Sequence, residues 1–343
     1  MKYDKWSVLA AMRFVLASIV AVNHLGEKAQ LGWLAVVPKF GAFEAILGFL
    51  LISGFSIGRS YAKNPGGFMY RRVARLYPIY LASIGFTFAA APAALTASFF
   101  WMLLLNLLFL NQALTTWSYV GPAWSLSLEF WLYCLAPFLM RASARLVRLC
   151  IWASFIAYAL YTCGRTLFDL PYYSNLGYGL NLPLLAFAWV GGIQVARDIG
   201  RERCAMRDIG LLFGAHMGLT IAIQFAYRLK HSAVGLFFSA DALELLARCI
   251  TLAALWFVFE RLLRDTGGGT RPSRFLRLLG DISYPLYLIH IPVYELLTRI
   301  HVTDATLLLA GAMIVSFLLY LGLDFYSKNR DKRASQPAAA PCS

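Results

Sequence analysis

Residues 43–80 read FEAILGFLLISGFSIGRSYAKNPGGFMYRRVARLYPIY, and a chain holding such a stretch has few folds open to it. Two apolar runs flank a loop that carries Arg59, Lys63, Arg71, Arg72 and Arg75 and no acid. Apolar runs of this length around a purely basic loop read as two membrane spans joined on the cytoplasmic side. Arg72 and Arg75 are three apart and share a face if helical. Two guanidinium forks at that boundary can grip a phosphorylated cytosolic molecule. The same cations also serve topology alone, by holding the loop inside.

Composition extends this reading to the whole chain. Of 343 residues, 60% are hydrophobic and 14% charged, and mean hydropathy is +0.63. That is beyond the apolar share of a soluble domain. The expected fold is all-α, a polytopic membrane helix bundle of about ten spans at ~20 residues each. Residues 1–327 form one membrane domain and 328–343 a polar cytoplasmic tail. The net charge of +14 is explained by cytoplasmic loops rather than by nucleic acid. Cys134, Cys150, Cys163, Cys204, Cys249 and Cys342 are scattered, so neither a disulfide framework nor a metal site is expected. No cleavable leader is expected either, because the first apolar run lacks a small-residue cleavage site and carries Arg13.

Spans are predicted at 7–25, 41–58, 76–95, 117–140, 147–164, 182–196, 209–227, 240–260, 279–298 and 305–325. Residues 98–113 are apolar but short. With both termini inside, 23 Lys and Arg fall on inner loops, six on outer loops, and Arg13 and Arg248 within spans. That bias holds only if 76–140 crosses an even number of times, so 98–113 is predicted to be a re-entrant or partial element. Irregular backbone at membrane depth is tolerated only where protein or a cavity surrounds it.

Ionisable residues within spans are candidate functional groups, since lipid burial is costly. Arg13 and His24 are eleven residues apart, close to three full turns, so they share a face about 16 Å apart along the axis. One face then carries a fixed cation near the inner side and a titratable base near the outer side. The alternative for His24 is a polar anchor at the outer interface. Glu129 lies mid-span, four after Ser125, and needs a donor or cation; His24, Arg13 or His290 could supply it. It could equally be a structural helix–helix pair. His290 is a second base or an orienter. Asp241, Glu244 and Arg248 share a helix face and read as self-neutralising. Glu44 reads as interfacial.

Taken together these residues resemble the acyltransferase-3 family of integral-membrane O-acyltransferases. The matching motifs are Arg13-x10-His24, Ser53-Gly54-Phe55, Arg72-x-x-Arg75 followed by Pro78, Trp124-Ser125-Leu126 through Glu129, and Ser283-Tyr284-x-x-Tyr287-Leu288-x-His290. They occur in family order over nearly the whole chain. The acidic residue with paired Phe that many members carry before Ser53 is absent, with Leu47 to Leu50 in its place. The extracytoplasmic hydrolase-like domain that some members carry is not expected here.

The resemblance implies transfer of an acyl group, usually acetyl, from cytosolic acetyl-CoA or another acyl-CoA to a hydroxyl of a glycan or lipid-linked glycan, within the bacterial inner membrane. Arg72, Arg75, Ser53, Gly54 and Phe55 would bind the donor. His24, Arg13, Glu129 and His290 would carry the chemistry. In this scheme a His acts as general base or transient acyl carrier, and Arg13 stabilises the thioester oxyanion. Partners are then acyl-CoA, the glycan acceptor and membrane lipid, with homo-oligomerisation open. A proton-coupled transporter is the alternative, since intramembrane His, Glu and Arg also build proton relays. A scaffold within a glycan-export complex would leave the motifs unexplained.

Overall fold

A computed structural model describes residues 4–92, 94–197, 202–264 and 272–334. Lys2, Arg201, Arg271 and, from the expected tail, residues 335–343 with Cys342 lie outside the described residues. The described chain is all-α, with no strand among the described residues. Its helices are α1 (Lys5–Leu25), α2 (Ala42–Lys63), α3 (Phe68–Ala90), α4 (Ala97–Leu107), α5 (Ala123–Arg141), α6 (Ala144–Phe168), α7 (Asn181–Arg197), α8 (Glu202–Lys230), α9 (Val234–Leu236), α10 (Ala242–Arg264), α11 (Arg274–Arg299) and α12 (Ala305–Ala334).

Among the described residues eight helices are long and apolar enough to cross a membrane: α1, α2, α3, α5, α6, α8, the continuous α9–α10 segment and α12. Two of the ten predicted spans are not in that set, for different reasons. Helix α7 has only 17 residues, although 13 of them are buried. Helix α11 has 26 residues, but Asp281, Ser283, His290, Glu295 and three tyrosines lower its hydropathy. Both pack along spans, α7 against α2 and α11 against α1.

These two packings rest on small residues, which let helix backbones approach closely in an apolar medium. A Cβ on Gly54 would lie 1.9 Å from the Trp189 carbonyl oxygen, and one on Gly192 would lie 2.3 Å from that of Leu51. A Cβ on Gly280 would come within 2.4 Å of the Ala10 Cβ. At the start of α1, Asp4 caps the helix by accepting from the Ser7 N–H at 2.8 Å. Asp4 also accepts from Arg277 at 2.7 Å, while the Ser7 hydroxyl accepts from the Ser273 N–H at 3.0 Å. The first turns of α1 and α11 are thereby tied together.

The basic connection after α2 is shorter than predicted. Only Asn64-Pro65-Gly66-Gly67 interrupts the helices, with Gly67 at φ 63°. The left-handed conformation there favours glycine. Arg59 and Lys63 therefore sit on α2, and Arg71, Arg72 and Arg75 on α3, with Pro78 inside α3 rather than at its start.

The short apolar segment is a partial element. Helix α4 spans 11 residues, about 16 Å at 1.5 Å per residue and too short for a ~30 Å core. The chain then turns at Phe109, φ 56°. Its carbonyl accepts from the Ser127 hydroxyl at 2.6 Å and the Trp131 indole N–H at 2.9 Å. Tyr77 and Tyr80 hydroxyls donate to the Leu107 and Asn106 carbonyls at 2.9 and 3.1 Å. Irregular backbone is thus satisfied by neighbouring side chains, as an apolar surrounding demands. Helix α5 starts at 123, six residues after the predicted start, because Gly121-Pro122 ends the irregular stretch.

Candidate active site

A cavity of ≈ 420 Å³ opens between α1, α2, α3, α5 and α11. On α2 its lining runs from Lys63 through Ser60, Arg59, Ser56 and Ser53 to Phe49 and Ile46. From Ile46 to Lys63 is 17 rises, about 25 Å of helix. One end is cationic. Arg59, Lys63, Arg72, Arg75 and Arg13 all line the cavity, against a single acid, Glu129. The other end is mostly apolar, with Ile46, Phe49, Leu50, Ser125 and Tyr287.

The predicted donor-gripping pair is here. Arg75 faces the cavity. The Arg72 guanidinium lies 5.6 Å above the Phe68 ring, and its Nε is buried without a partner. A buried guanidinium N–H left unpaired is costly unless a ligand takes it. Arg71 is differently placed, because it donates to the Gly66 carbonyl and, at 2.5 Å, to the Asn64 carbonyl. It fixes the turn and does not line the cavity.

Arg13 and Glu129 occupy the middle. Arg13 Nη2 donates to Ser56 Oγ at 2.5 Å, and the nearby charges it feels include Arg75, Glu129 and Arg72. Glu129 accepts a hydrogen bond from the Ser53 hydroxyl, with Tyr133 beside both. Its direct donors are therefore Ser53 on α2 and Tyr133 one turn along α5, and neither histidine supplies one.

Of the predicted Ser53-Gly54-Phe55 trio, only Ser53 lines the cavity. Gly54 faces α7, as the clash distance to Trp189 shows. Phe55 packs on Trp6 and Phe259, with ring centroids at 5.9 and 5.7 Å. Neither is placed to touch a ligand in the cavity.

His24 and His290 lie beyond the cavity's apolar end and do not line it. His24 Nδ1 is 3.0 Å from His290 Nε2, and the rings stack at 5.1 Å. His290 Nδ1 lies 2.9 Å from the Leu286 carbonyl oxygen. A carbonyl only accepts, so His290 Nδ1 carries a hydrogen. In the neutral pair His290 Nε2 is then an acceptor, and His24 Nδ1 must donate to it. The lone pair of His24 Nε2 stays available. His290 is fully buried, whereas His24 is half-buried. A shallow groove is lined by Gly26, Lys28, Gln30 and Leu31, which follow His24 in the chain, and by Thr303.

Several lining residues escaped the sequence reading, namely Arg59 and Lys63 as ligand groups, Ser56, Tyr133 and Tyr284. Helical spacing could have found most of them. Ser56, Ser60 and Lys63 are three, seven and ten residues after Ser53, and Tyr133 is four after Glu129.

A second buried polar cluster lies among α2, α6, α8 and α10. His216, which belongs to no motif, places Nε2 3.3 Å from Glu44 Oε1 and Nδ1 2.8 Å from the Tyr158 hydroxyl. Arg248 lies 3.8 Å from Glu44 and also pairs with Glu244. Glu44 is 1% exposed, so it is buried rather than interfacial. Asp241 is not part of the predicted trio's self-neutralisation: it accepts from Arg228 at 2.7 and 2.9 Å.

Residues 8–322 match the family model described as an acyltransferase domain, of the acyltransferase-3 type. The chain is also similar to "Regulator of hypoxia-inducible factor 1" from Caenorhabditis elegans, 26% identical over 258 residues. That match covers 62% of this chain and 51% of the worm protein, so the chain spans about half the length of that relative. No solved structure matches.

Proposed function

Because the chain belongs to the acyltransferase-3 family and is a multi-pass membrane acyltransferase, we propose that it moves an acyl group, acetyl in the first instance, from cytosolic acyl-CoA to a hydroxyl of a glycan or lipid-linked glycan. The observation that carries this reading is the polarity of one cavity. Five cations stand at one end and along its wall, and the opposite end stops one ring short of the histidine pair. A donor with a phosphorylated head and a long neutral arm ending in a thioester suits that gradient. The charged end faces the cytosol in this reading, with both termini on the same side, in a bacterial cytoplasmic membrane.

Arg72, Arg75, Arg59 and Lys63 hold the donor phosphates through charge-assisted hydrogen bonds. Arg13, Ser53, Glu129 and Tyr133 line the path of the arm. Arg13 is about 16 Å from His24 along α1, too far to serve an oxyanion formed beside that imidazole. We therefore assign Arg13 and Glu129 to donor binding. His24 Nε2 takes the proton of the acceptor hydroxyl as the oxygen attacks the thioester carbon. The C–O bond forms, the C–S bond breaks, and the proton passes to the departing thiolate, giving ester and free thiol. His290, held by the Leu286 carbonyl, fixes the tautomer and the ring plane of His24. The acceptor reaches His24 from the groove at Gly26 and Thr303.

The test is calorimetric titration of the purified protein with acetyl-CoA, beside ester analysis of surface glycan from cells expressing the wild type or His24→Ala. Micromolar binding together with esters that depend on His24 supports the reading. No heat with acetyl-CoA and identical esters in both strains would refute it.

A further inference from the structure

At the apolar end of the cavity, nearest the histidine pair, one side chain stands with a residue on each flank. Tyr287 lines the cavity together with Phe49 and Ser125. Its hydroxyl and the Ser125 hydroxyl share a hydrogen bond at 2.7 Å. The Phe49 ring meets the Tyr287 ring edge-on, centroids 5.3 Å apart at 63°. Tyr287 also meets the His290 ring at 6.5 Å, although His290 and His24 do not line the cavity. Helix α11 thus presents Ser283, Tyr284 and Tyr287 to the donor space and His290 beyond it.

We propose that Tyr287, clamped by Ser125 and Phe49, stands at the end of the donor cavity nearest the His24–His290 pair, and that Phe49 and Tyr287 together set the length of acyl group the donor can carry. The inference rests on the acyl-CoA reading above. If His24 takes the acceptor's proton, the thioester carbonyl must reach the Tyr287 end of the cavity, the end nearest the histidine pair. The acyl tail extends past the carbonyl and meets Phe49, Tyr287 and Ile46. An apolar pocket that fits one methyl resists added methylenes, because close-packed walls yield only at a cost. One methylene typically changes selection by about 10–200-fold. The hydrogen bond to Ser125 holds the stop in place, since it pins the hydroxyl and so restrains the swing of the side chain about its Cα–Cβ bond. The phosphate grip at Arg72 and Arg75 is on a different helix and near the other end of the cavity, so the two functions separate by position.

The experiment needs no acceptor. Free CoA, acetyl-CoA, butyryl-CoA and hexanoyl-CoA are titrated into detergent-purified wild type, Phe49→Ala, Phe49→Leu, Tyr287→Phe and Ser125→Ala. In the wild type, butyryl-CoA should bind at least ~10-fold more weakly than acetyl-CoA. Phe49→Ala should remove that gap and Phe49→Leu should narrow it, with free CoA affinity within about two-fold of wild type as the control for an intact fold. Tyr287→Phe and Ser125→Ala should relax selectivity to the same smaller degree, since each removes the same hydrogen bond. A simple loss of packing would not make those two variants coincide. Equal affinities for all acyl lengths in the wild type would overturn the inference. So would an unchanged acetyl-to-butyryl ratio in the Phe49 variants that still bind free CoA. A wild type that binds no CoA of any kind would instead overturn the donor reading, and the inference with it.

Discussion

His24 and His290, 266 residues apart, share a 3.0 Å hydrogen bond in which His290 accepts. The direction follows from the Leu286 carbonyl, which occupies the other nitrogen of His290. The pair is therefore asymmetric. One imidazole is buried and committed on both nitrogens, and the other keeps a free Nε2. His24→Ala should lose transfer by about 10²–10⁴-fold, the usual contribution of a general base. His290→Ala should lose less, and His290→Gln less still if its side-chain oxygen accepts from His24. Acyl-CoA binding should persist in all three. The check is donor titration paired with glycan ester analysis. Full transfer in His24→Ala would remove it from the chemistry, and loss confined to His290→Ala would move the base to α11.

The three arginines of α3 should separate by geometry. Arg72→Ala and Arg75→Ala should each weaken acyl-CoA binding by roughly 1.5–3 kcal/mol, the contribution of a charge-assisted contact. Lys at either position should rescue in part, since charge is kept and the fork is lost. Arg71→Ala should leave donor affinity near wild type, because Arg71 is spent on the Gly66 and Asn64 carbonyls. A calorimetric series over the three positions checks this. Equal losses at 71, 72 and 75 would mean a general electrostatic effect with no site.

The apolar runs made the bundle legible, and Arg13, Glu129, His24 and His290 stood out because ionisable groups are rare inside spans. What failed was adjacency. Ser53, Gly54 and Phe55 are consecutive, but each helical residue turns about 100° from the last, so the trio divides among the cavity, α7 and a cluster with Trp6 and Phe259. The basic loop was misread for a related reason. The break lies only at Asn64–Gly67, so the cations ride on helix ends and turn inward. Glu44 and His216 meet across 172 residues, and no local spacing encodes such a contact.

The tie between the starts of α1 and α11 should be pH-dependent. Burial alone would raise the Asp4 carboxyl, but the Ser7 N–H and Arg277 outweigh it and hold its pKa below the ordinary 3.8. A carboxylate lowered on folding stabilises the fold above its unfolded value, and that contribution fades as pH falls through the folded one. The melting temperature of Asp4→Asn should therefore sit below wild type at neutral pH. The gap should stay constant down to about pH 5 and close below 3.8. Arg277 is half-exposed, so the gap should also shrink in high salt. A gap that is equal at pH 7 and pH 2.5 would assign the effect to packing.

Glu44 and His216 should matter for stability more than for transfer. Glu44 is buried, with Oε2 unpartnered, and its Oε1 is shared by His216 at 3.3 Å and Arg248 at 3.8 Å. Removing one partner of a buried pair leaves the other uncompensated, a cost of about 3–5 kcal/mol. His216→Ala should fall at the lower end, because Arg248 remains beside Glu44, even though the Tyr158 hydroxyl loses its partner. Glu44→Gln in the His216→Ala background should recover part of the loss, since the lone carboxylate is gone. Neither residue lines the donor cavity, so acyl-CoA affinity of the folded fraction should match wild type. Thermal unfolding in detergent with parallel donor titration reads both quantities. If His216→Ala melts like wild type but loses donor binding, the cluster is coupled to the cavity and is not a structural clamp.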